Sequence, residues 1–142
     1  MRCTIQHYRP NLTVPAGPVA SATVRNGAGN LNTVYTSNPP VMGATMVSQA
    51  VVSPGTYGLG AVFAYLGPAT VPFSGYTILV DIGSPVIYQT AFVPPTFGVL
   101  MAWGTPIPLD PIFAGLAFST QCLLLDATSF ALTNAVDMVV GS

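Results

Sequence analysis

The chain has 142 residues, enough for one domain with a core, and only 5% of them are charged, against about 25% in ordinary soluble domains. Three arginines and four aspartates give a formal net charge of −1, with no lysine and no glutamate. Such sparse cations exclude nucleic-acid binding, which needs clustered Lys or Arg, and a hydrophobic content of 51% excludes disorder. Pro, Gly or polar residues interrupt every apolar run before about 18 residues, so no transmembrane helix is expected.

Short segments rich in Val, Thr, Ile, Phe and Tyr alternate along the chain with proline and glycine, which number 14 each. This pattern is typical of many short strands separated by turns. Nine strands are predicted, at residues 3–8, 19–25, 42–52, 59–66, 76–82, 86–92, 97–103, 116–125 and 136–140. The expected fold is all-β, an antiparallel β-sandwich of jelly-roll-like character.

Two local sequence signals predict turns between the strands. Residues 110–115 predict one short helical turn, because Asp110 can cap it, Pro111 suits its first position and Gly115 can end it. Asn26-Gly27 predicts a tight turn with a positive φ.

The predicted strands 116–125 and 42–52 are largely apolar on both faces. Such a strand is expected to be central in its sheet, or to have its outer face covered by a partner. In a domain of this size, we expect some of that surface to be buried between copies.

No change in composition divides the chain, so residues 1–142 are expected to form a single domain, with residues 1–20 as an extension or assembly strand. The strand itself is predicted at Thr4, Ile5, Gln6, His7 and Tyr8. The chain has no lysine to guard an open sheet edge, and an edge strand could therefore pair with a neighbouring copy. No apolar leader follows Arg2, which leaves two alternatives, a mature exported protein with an added start Met or an intracellular protein, and the composition favours the exported one.

The two cysteines, Cys3 and Cys122, predict a disulfide between an early and a late strand, since an even pair in a lysine-free chain suits an oxidising compartment. The alternative is two free thiols that pack as small buried hydrophobes.

Five stretches of the sequence resemble a domain found, often at the C-terminus, in many secreted proteins of planctomycete-type bacteria. They are residues 22–27 (ATVRNG), 40–45 (PVMGAT), 77–81 (TILVD), 107–116 (IPLDPIFAGL) and 132–141 (LTNAVDMVVG). The resemblance implies export and a β-rich fold. It carries over no catalytic residue, and the first 20 or so residues depart from it.

The sequence offers little for catalysis or metal binding. His7 is the only histidine and has no nearby aspartate, so a catalytic triad is not expected. One histidine and two distant cysteines do not make a zinc site. Asp126 and Asp137 could contribute to calcium binding, but no loop is dense in ligands. The sequence therefore predicts no enzyme and no cofactor.

The aromatic residues leave a binding function open. An exposed Trp103 with Tyr57, Tyr65 or Tyr88 could form a platform on which sugar rings stack, and the alternative is that Trp103 packs in the core or at a subunit contact.

The expected function is thus a non-catalytic structural subunit of an extracellular or cell-surface assembly, such as a filament, sheet or coat, which self-associates through strand edges and apolar faces. The alternatives are an extracellular carbohydrate-binding module and, third, a virion coat protein.

Overall fold

The computed structural model describes residues 17–142, which form an all-β sandwich and so confirm the predicted fold class. This part of the chain contains one 3₁₀ turn, Pro111–Phe113, and ten strands: β1 (Ser21–Arg25), β2 (Tyr35–Ser37), β3 (Thr45–Val51), β4 (Leu59–Tyr65), β5 (Pro68–Phe73), β6 (Tyr76–Val80), β7 (Val86–Gln89), β8 (Leu100–Pro106), β9 (Ala117–Leu125) and β10 (Phe130–Val139). Within residues 17–142, no helix has the length and apolar character needed to cross a bilayer.

Two antiparallel sheets enclose the core. One has five strands in the order β1-β10-β9-β4-β7, and the other has three in the order β2-β3-β8. Side chains from the facing surfaces of both sheets form one buried cluster, whose larger members are Tyr35, Met46, Val62, Met101, Trp103, Phe118, Leu124 and Met138. Each sheet therefore has one face buried in the core, and its outer face is either covered by other parts of the chain or exposed to solvent.

Strand β3 does not have the two apolar faces that the sequence predicted. Its residues alternate strictly between exposed and buried, with Met46, Ser48 and Ala50 in the core and Val47 among those that face outward. The three-stranded sheet therefore presents a mixed outer face.

Strand β9 matches the expectation more closely, since it is the central strand of the five-stranded sheet. Phe118, Thr120, Cys122 and Leu124 lie on its buried side. A two-stranded hairpin, β5–β6, covers part of its outer side, with β6 packed over β9 and β10. The sequence allowed for a partner that covers this face, and the hairpin of the same chain covers part of it.

Two of the strands lie where the sequence predicted none. β2 has only three residues, too few for a recognisable pattern. β5 contains Pro68 and Pro72, which lack the N–H that a central strand requires. It accepts both prolines because it pairs only with β6.

The predicted strand 136–140 is the second part of the longer β10, in which the register shifts between Leu132 and Ala135. The predicted strand 3–8 lies outside the described residues.

The turns agree with their sequence signals in one case and differ in the other. The helical turn is confirmed: the Asp110 carboxylate accepts a hydrogen bond from the Ile112 N–H at 3.0 Å, and Gly115 follows with φ +82°. In the loop after β1, however, the positive φ is at Gly29 and not at Gly27. Gly29 lies against the turn of the β5–β6 hairpin, where Ser74 and Gly75 also have positive φ.

Replacing Gly29 by alanine is expected to destabilise the fold more than the same change at Gly75. Both glycines have positive φ, +78° and +84°, and this conformation costs about 1–2 kcal/mol for a residue with a Cβ. A Cβ at Gly29 would also overlap the carbonyl oxygen of Gly75, whereas one at Gly75 meets open space. Denaturant unfolding of both variants measures the difference. Equal losses of stability would contradict the close packing of the loop on the hairpin.

Candidate functional site

A cluster of polar side chains fastens the β5–β6 hairpin to the five-stranded sheet. The Gln121 side chain accepts a hydrogen bond from the Leu79 N–H at 2.9 Å and donates to the carbonyl oxygens of Thr77 and Thr133 at 3.0 and 2.8 Å. The Asn30 side chain accepts from the Thr77 N–H at 2.7 Å and donates to the same two carbonyls at 2.8 and 2.9 Å. The hairpin is therefore held in a fixed position over the sheet.

An ion pair adds a second attachment. The Arg25 guanidinium donates to both carboxylate oxygens of Asp137, at 2.7 and 3.0 Å, and to the carbonyls of Ala69 and Leu79 on the hairpin. Burial works to raise the pKa of Asp137. Hydrogen bonds from Arg25 and Ser119, together with the charge of Arg25, outweigh it and lower the pKa below its usual value. The pair thus joins β1, β10 and both hairpin strands.

Beside the hairpin, part of the outer face of the five-stranded sheet is left open as an apolar groove, which we call the outer groove. It consists of two depressions of about 210 and 340 Å³ that share Ile78, Leu123 and Leu132. Other residues along it are Phe63, Tyr65, Ile82, Phe73, Leu125 and Phe130. At one end of the groove lies Tyr65, which pairs with Ser119 of β9, and at the other end lies Leu125 of the same strand. The groove therefore runs along about six residues of β9, a length of about 20 Å.

A second apolar depression lies at the end of the sandwich where β8 and β10 finish, and we call it the end cavity. It has a volume of about 220 Å³ and is lined mainly by Ile87, Pro106, Ile107, Phe113, Leu116 and Val140. Leu109 and Ile112, from the same loop and helical turn, are 81% and 79% exposed. The 3₁₀ turn predicted from the sequence thus contributes Phe113 to the wall of an open apolar cavity.

The opposite end of β8 carries a turn with an exposed aromatic residue at its tip. Thr96 and Leu100 exchange backbone hydrogen bonds of 2.6 and 3.2 Å across this turn, which two prolines precede. Phe97 at the tip has a φ of 51° and is 97% exposed. The sequence predicted a strand here and gave Phe97 no role. The signal that could have identified it is the run Pro-Pro-Thr-Phe-Gly, a turn sequence around an aromatic residue.

Charge is scarce around these apolar surfaces. Residues 17–142 contain Arg25 and four aspartates, one positive against four negative charges, for a net of −3. Residues 1–16 contain Arg2 and Arg9, for a net of +2. Ile82 and Leu125 in the outer groove are adjacent in sequence to Asp81 and Asp126, so each end of the groove has an acidic neighbour.

Cys122 lies fully buried in the core, where burial raises the pKa of its thiol to about 12. It forms no disulfide with any residue in the range 17–142. Its proposed partner Cys3 lies outside the described residues, so the bond stays a prediction. Intact-mass measurement with and without reductant tests it, and two alkylatable thiols before reduction would exclude it.

The four aromatic residues of the predicted sugar platform are not brought together on one exposed face. Trp103 is only 6% exposed, belongs to the core, and donates a hydrogen bond from its indole N–H to the Ala91 carbonyl at 3.2 Å. Tyr57 and Tyr88 pack against this core, and the Tyr88 hydroxyl is buried. Tyr65 lines the outer groove. The geometry therefore gives Trp103, Tyr57 and Tyr88 packing roles and places Tyr65 apart from them, in the groove.

The remaining sequence candidates fall outside the described residues or lie apart. His7 and the assembly strand at residues 4–8 are not described. Asp137 pairs with Ser119 near the start of β9, whereas Asp126 follows the end of that strand. Among residues 17–142, no three His, Cys, Asp or Glu side chains are grouped as metal ligands would be.

Scans of this chain against protein-family models, curated proteins and solved structures gave no match.

Proposed function

We propose that this protein is a non-catalytic structural subunit of an extracellular or cell-surface assembly, which associates with copies of itself through apolar faces and strand edges. The observation that carries the proposal is the outer groove, an open apolar surface about 20 Å long on a domain with almost no surface charge. Contiguous apolar patches larger than a few hundred Å² are rare on monomeric soluble proteins, and such patches often mark binding surfaces.

The strand edges support association as well. Natural monomers protect open edges with charges, prolines or very short strands. β5 has two prolines and β2 has three residues, but β7 and β8 carry no charged side chain. On the side of β8 away from β3, Leu100 bridges to Thr96 and no further strand among the described residues pairs with it. This edge is open to a strand from another copy.

We propose that the segment at residues 2–9, which contains the strand predicted from the sequence, is the partner of the groove. Arg2 and Arg9 flank residues 3–8, and their spacing of seven residues corresponds to about 23 Å in an extended chain. That length matches the groove, whose two ends lie next to Asp81 and Asp126. We therefore propose that residues 2–9 of a second copy occupy the outer groove, with Ile5 as an apolar contact. This contact and the predicted Cys3–Cys122 bond exclude each other, because the Cys122 side chain lies on the buried side of β9.

Light scattering over a range of concentrations, followed by electron microscopy, tests the proposal on the full chain. We expect ordered assemblies, and weaker assembly of a chain that lacks residues 1–9 and of the variant Ile82→Ser, which removes an exposed groove side chain. The control is Val47→Thr, which changes an exposed apolar residue on the outer face of the other sheet.

The outcomes separate the parts of the proposal. If the full chain and the truncated chain are both monomeric at high concentration, self-association is wrong. If both assemble equally well, only the role of the N-terminal strand is lost. If Ile82→Ser and Val47→Thr reduce assembly to the same extent, the groove is not the contact surface.

A further inference from the structure

The exposed position of Phe97 has no explanation within the described residues. A residue with a Cβ is strained in the left-handed region, and glycine or asparagine would occupy the site with less strain. The ring is also 97% exposed and so gains nothing from burial in this chain. The preceding prolines and the Thr96–Leu100 hydrogen bonds hold the turn in place. Backbone strain of this kind clusters at functional sites, and aromatic residues, Phe among them, are enriched at protein interfaces.

The end cavity has the size and chemistry to receive such a side chain. Its volume is about 220 Å³, whereas an apolar cavity of about 150 Å³ is enough to hold a benzene molecule. Its walls are mainly apolar, from Ile87, Ile107, Leu116 and Val140. The cavity opens beside exposed Pro106, Pro108 and Phe113, so a ring can enter without displacing a strand.

The Phe97 turn and the end cavity lie at opposite ends of the same strand. The turn precedes Leu100 and the cavity follows Thr105, so β8 separates them by about 20 Å. A Phe97 ring therefore cannot fill the cavity of its own chain, and the ring that fits belongs to another copy. Both ends add apolar contacts, with exposed Val51 beside Leu100 and exposed Leu109 and Ile112 near the cavity.

We propose that the Phe97 ring of one copy inserts into the end cavity of a second copy. This inference rests on the proposed self-association and names one of its contacts. The two contacting surfaces differ, and the interface is therefore heterologous. Repetition of such a contact gives a ring if the rotation closes and an open chain if it does not.

Two single variants test the contact from its two sides. Phe97→Asn removes the ring but keeps a residue that tolerates a positive φ, so the fold is retained. Leu116→Trp fills the cavity from inside, and Leu116→Phe is the substitute if the indole does not fit. The control is Val47→Thr, which changes an exposed residue on the outer face of β3 and leaves the Phe97 turn and the end cavity intact.

The decisive measurement is pairwise association of differently tagged full chains by sedimentation velocity. Phe97→Asn has an intact cavity and Leu116→Trp has an intact ring, so only their mixture can form one complete contact. We expect the mixed pair to associate about thirtyfold or more tightly than either variant with itself, the effect of one central aromatic residue.

Three results would overturn the inference. In the first, Phe97→Asn associates as strongly as the unchanged protein, as it would if residues 1–16 of the same chain filled the cavity. In the second, the mixed pair associates no better than the single variants. Either result leaves the proposed function in place. In the third, the unchanged protein is monomeric, and both proposals fail together.

Discussion

Replacing Asn134 by alanine is expected to lower the free energy of unfolding by about 2–4 kcal/mol. Asn134 is fully buried in β10, yet its side chain bonds to the backbone of β2 in the other sheet. Its Oδ1 accepts from the Tyr35 N–H at 3.1 Å, and its Nδ2 donates to the Tyr35 carbonyl at 2.8 Å. Alanine would leave both backbone groups of Tyr35 without these partners, and each buried unsatisfied group costs about 1–3 kcal/mol.

Two further variants separate this loss from a general effect of substitution. Thr36→Ala changes an exposed neighbour in β2 and should alter stability little. Asn134→Asp keeps an acceptor for the Tyr35 N–H but buries a carboxylate and loses the donor to the carbonyl. Its deficit relative to the unchanged protein should shrink as the pH falls, because a protonated carboxyl regains a donor. If Asn134→Ala is no more destabilising than Thr36→Ala, the two sheets do not depend on this link.

The same residue illustrates what local patterns can and cannot predict. Alternation of apolar residues, with proline and glycine in the turns, identified most of the strands and the all-β sandwich. It did not identify β2, because three residues define no period, nor the bulge that lets Asn134 point across to β2. Such a link depends on which strands become neighbours, and that is a property of the whole chain.

The hairpin β5–β6 shows a second limit. Proline within an apolar run argues against a strand inside a sheet, so residues 68–73 gave no strand signal. A signal was present elsewhere: Gln121 and Thr133 are polar residues within largely apolar strands, and buried polar groups require partners. For Gln121 these partners are the Leu79 N–H and the Thr77 carbonyl of the hairpin, together with the Thr133 carbonyl of β10. The Thr133 hydroxyl instead bonds to the backbone of Cys122 in β9.

The candidate surfaces were the hardest part to predict. The composition shows few charges, and the alternation of residues along 116–125 indicated that both faces of this strand, β9, are largely apolar. It could not indicate which apolar residues stay open, because Phe97, Leu109 and Trp103 differ in exposure only through their places in the fold. Trp103, the natural choice for a binding residue, is buried, whereas Phe97 in a turn is exposed.

Replacing Gln121 by leucine is expected to detach the β5–β6 hairpin from the sheet. Leucine fills a similar space but removes the acceptor for the Leu79 N–H and both donations to Thr77 and Thr133. These groups are buried, and we expect a loss of about 2–4 kcal/mol in the free energy of unfolding. Asn30 still bonds to Thr77, so the hairpin should loosen over β9 before the sandwich itself unfolds.

Hydrogen exchange measured residue by residue locates this effect. The Leu79 amide should lose protection in Gln121→Leu, while the amides between β3 and β8 keep theirs, because those strands do not depend on the hairpin. Gln121→Glu retains the acceptor for Leu79 but buries a carboxylate against the Thr77 and Thr133 carbonyls, so its deficit should shrink as the pH falls and the carboxyl group gains a donor proton. Gln49→Leu, on the exposed side of β3, is the matched control. A protected Leu79 amide in Gln121→Leu would mean that Asn30, Arg25 and apolar contacts hold the hairpin without Gln121. Gln121 would then not be needed to hold the hairpin, which forms one wall of the outer groove, in its position.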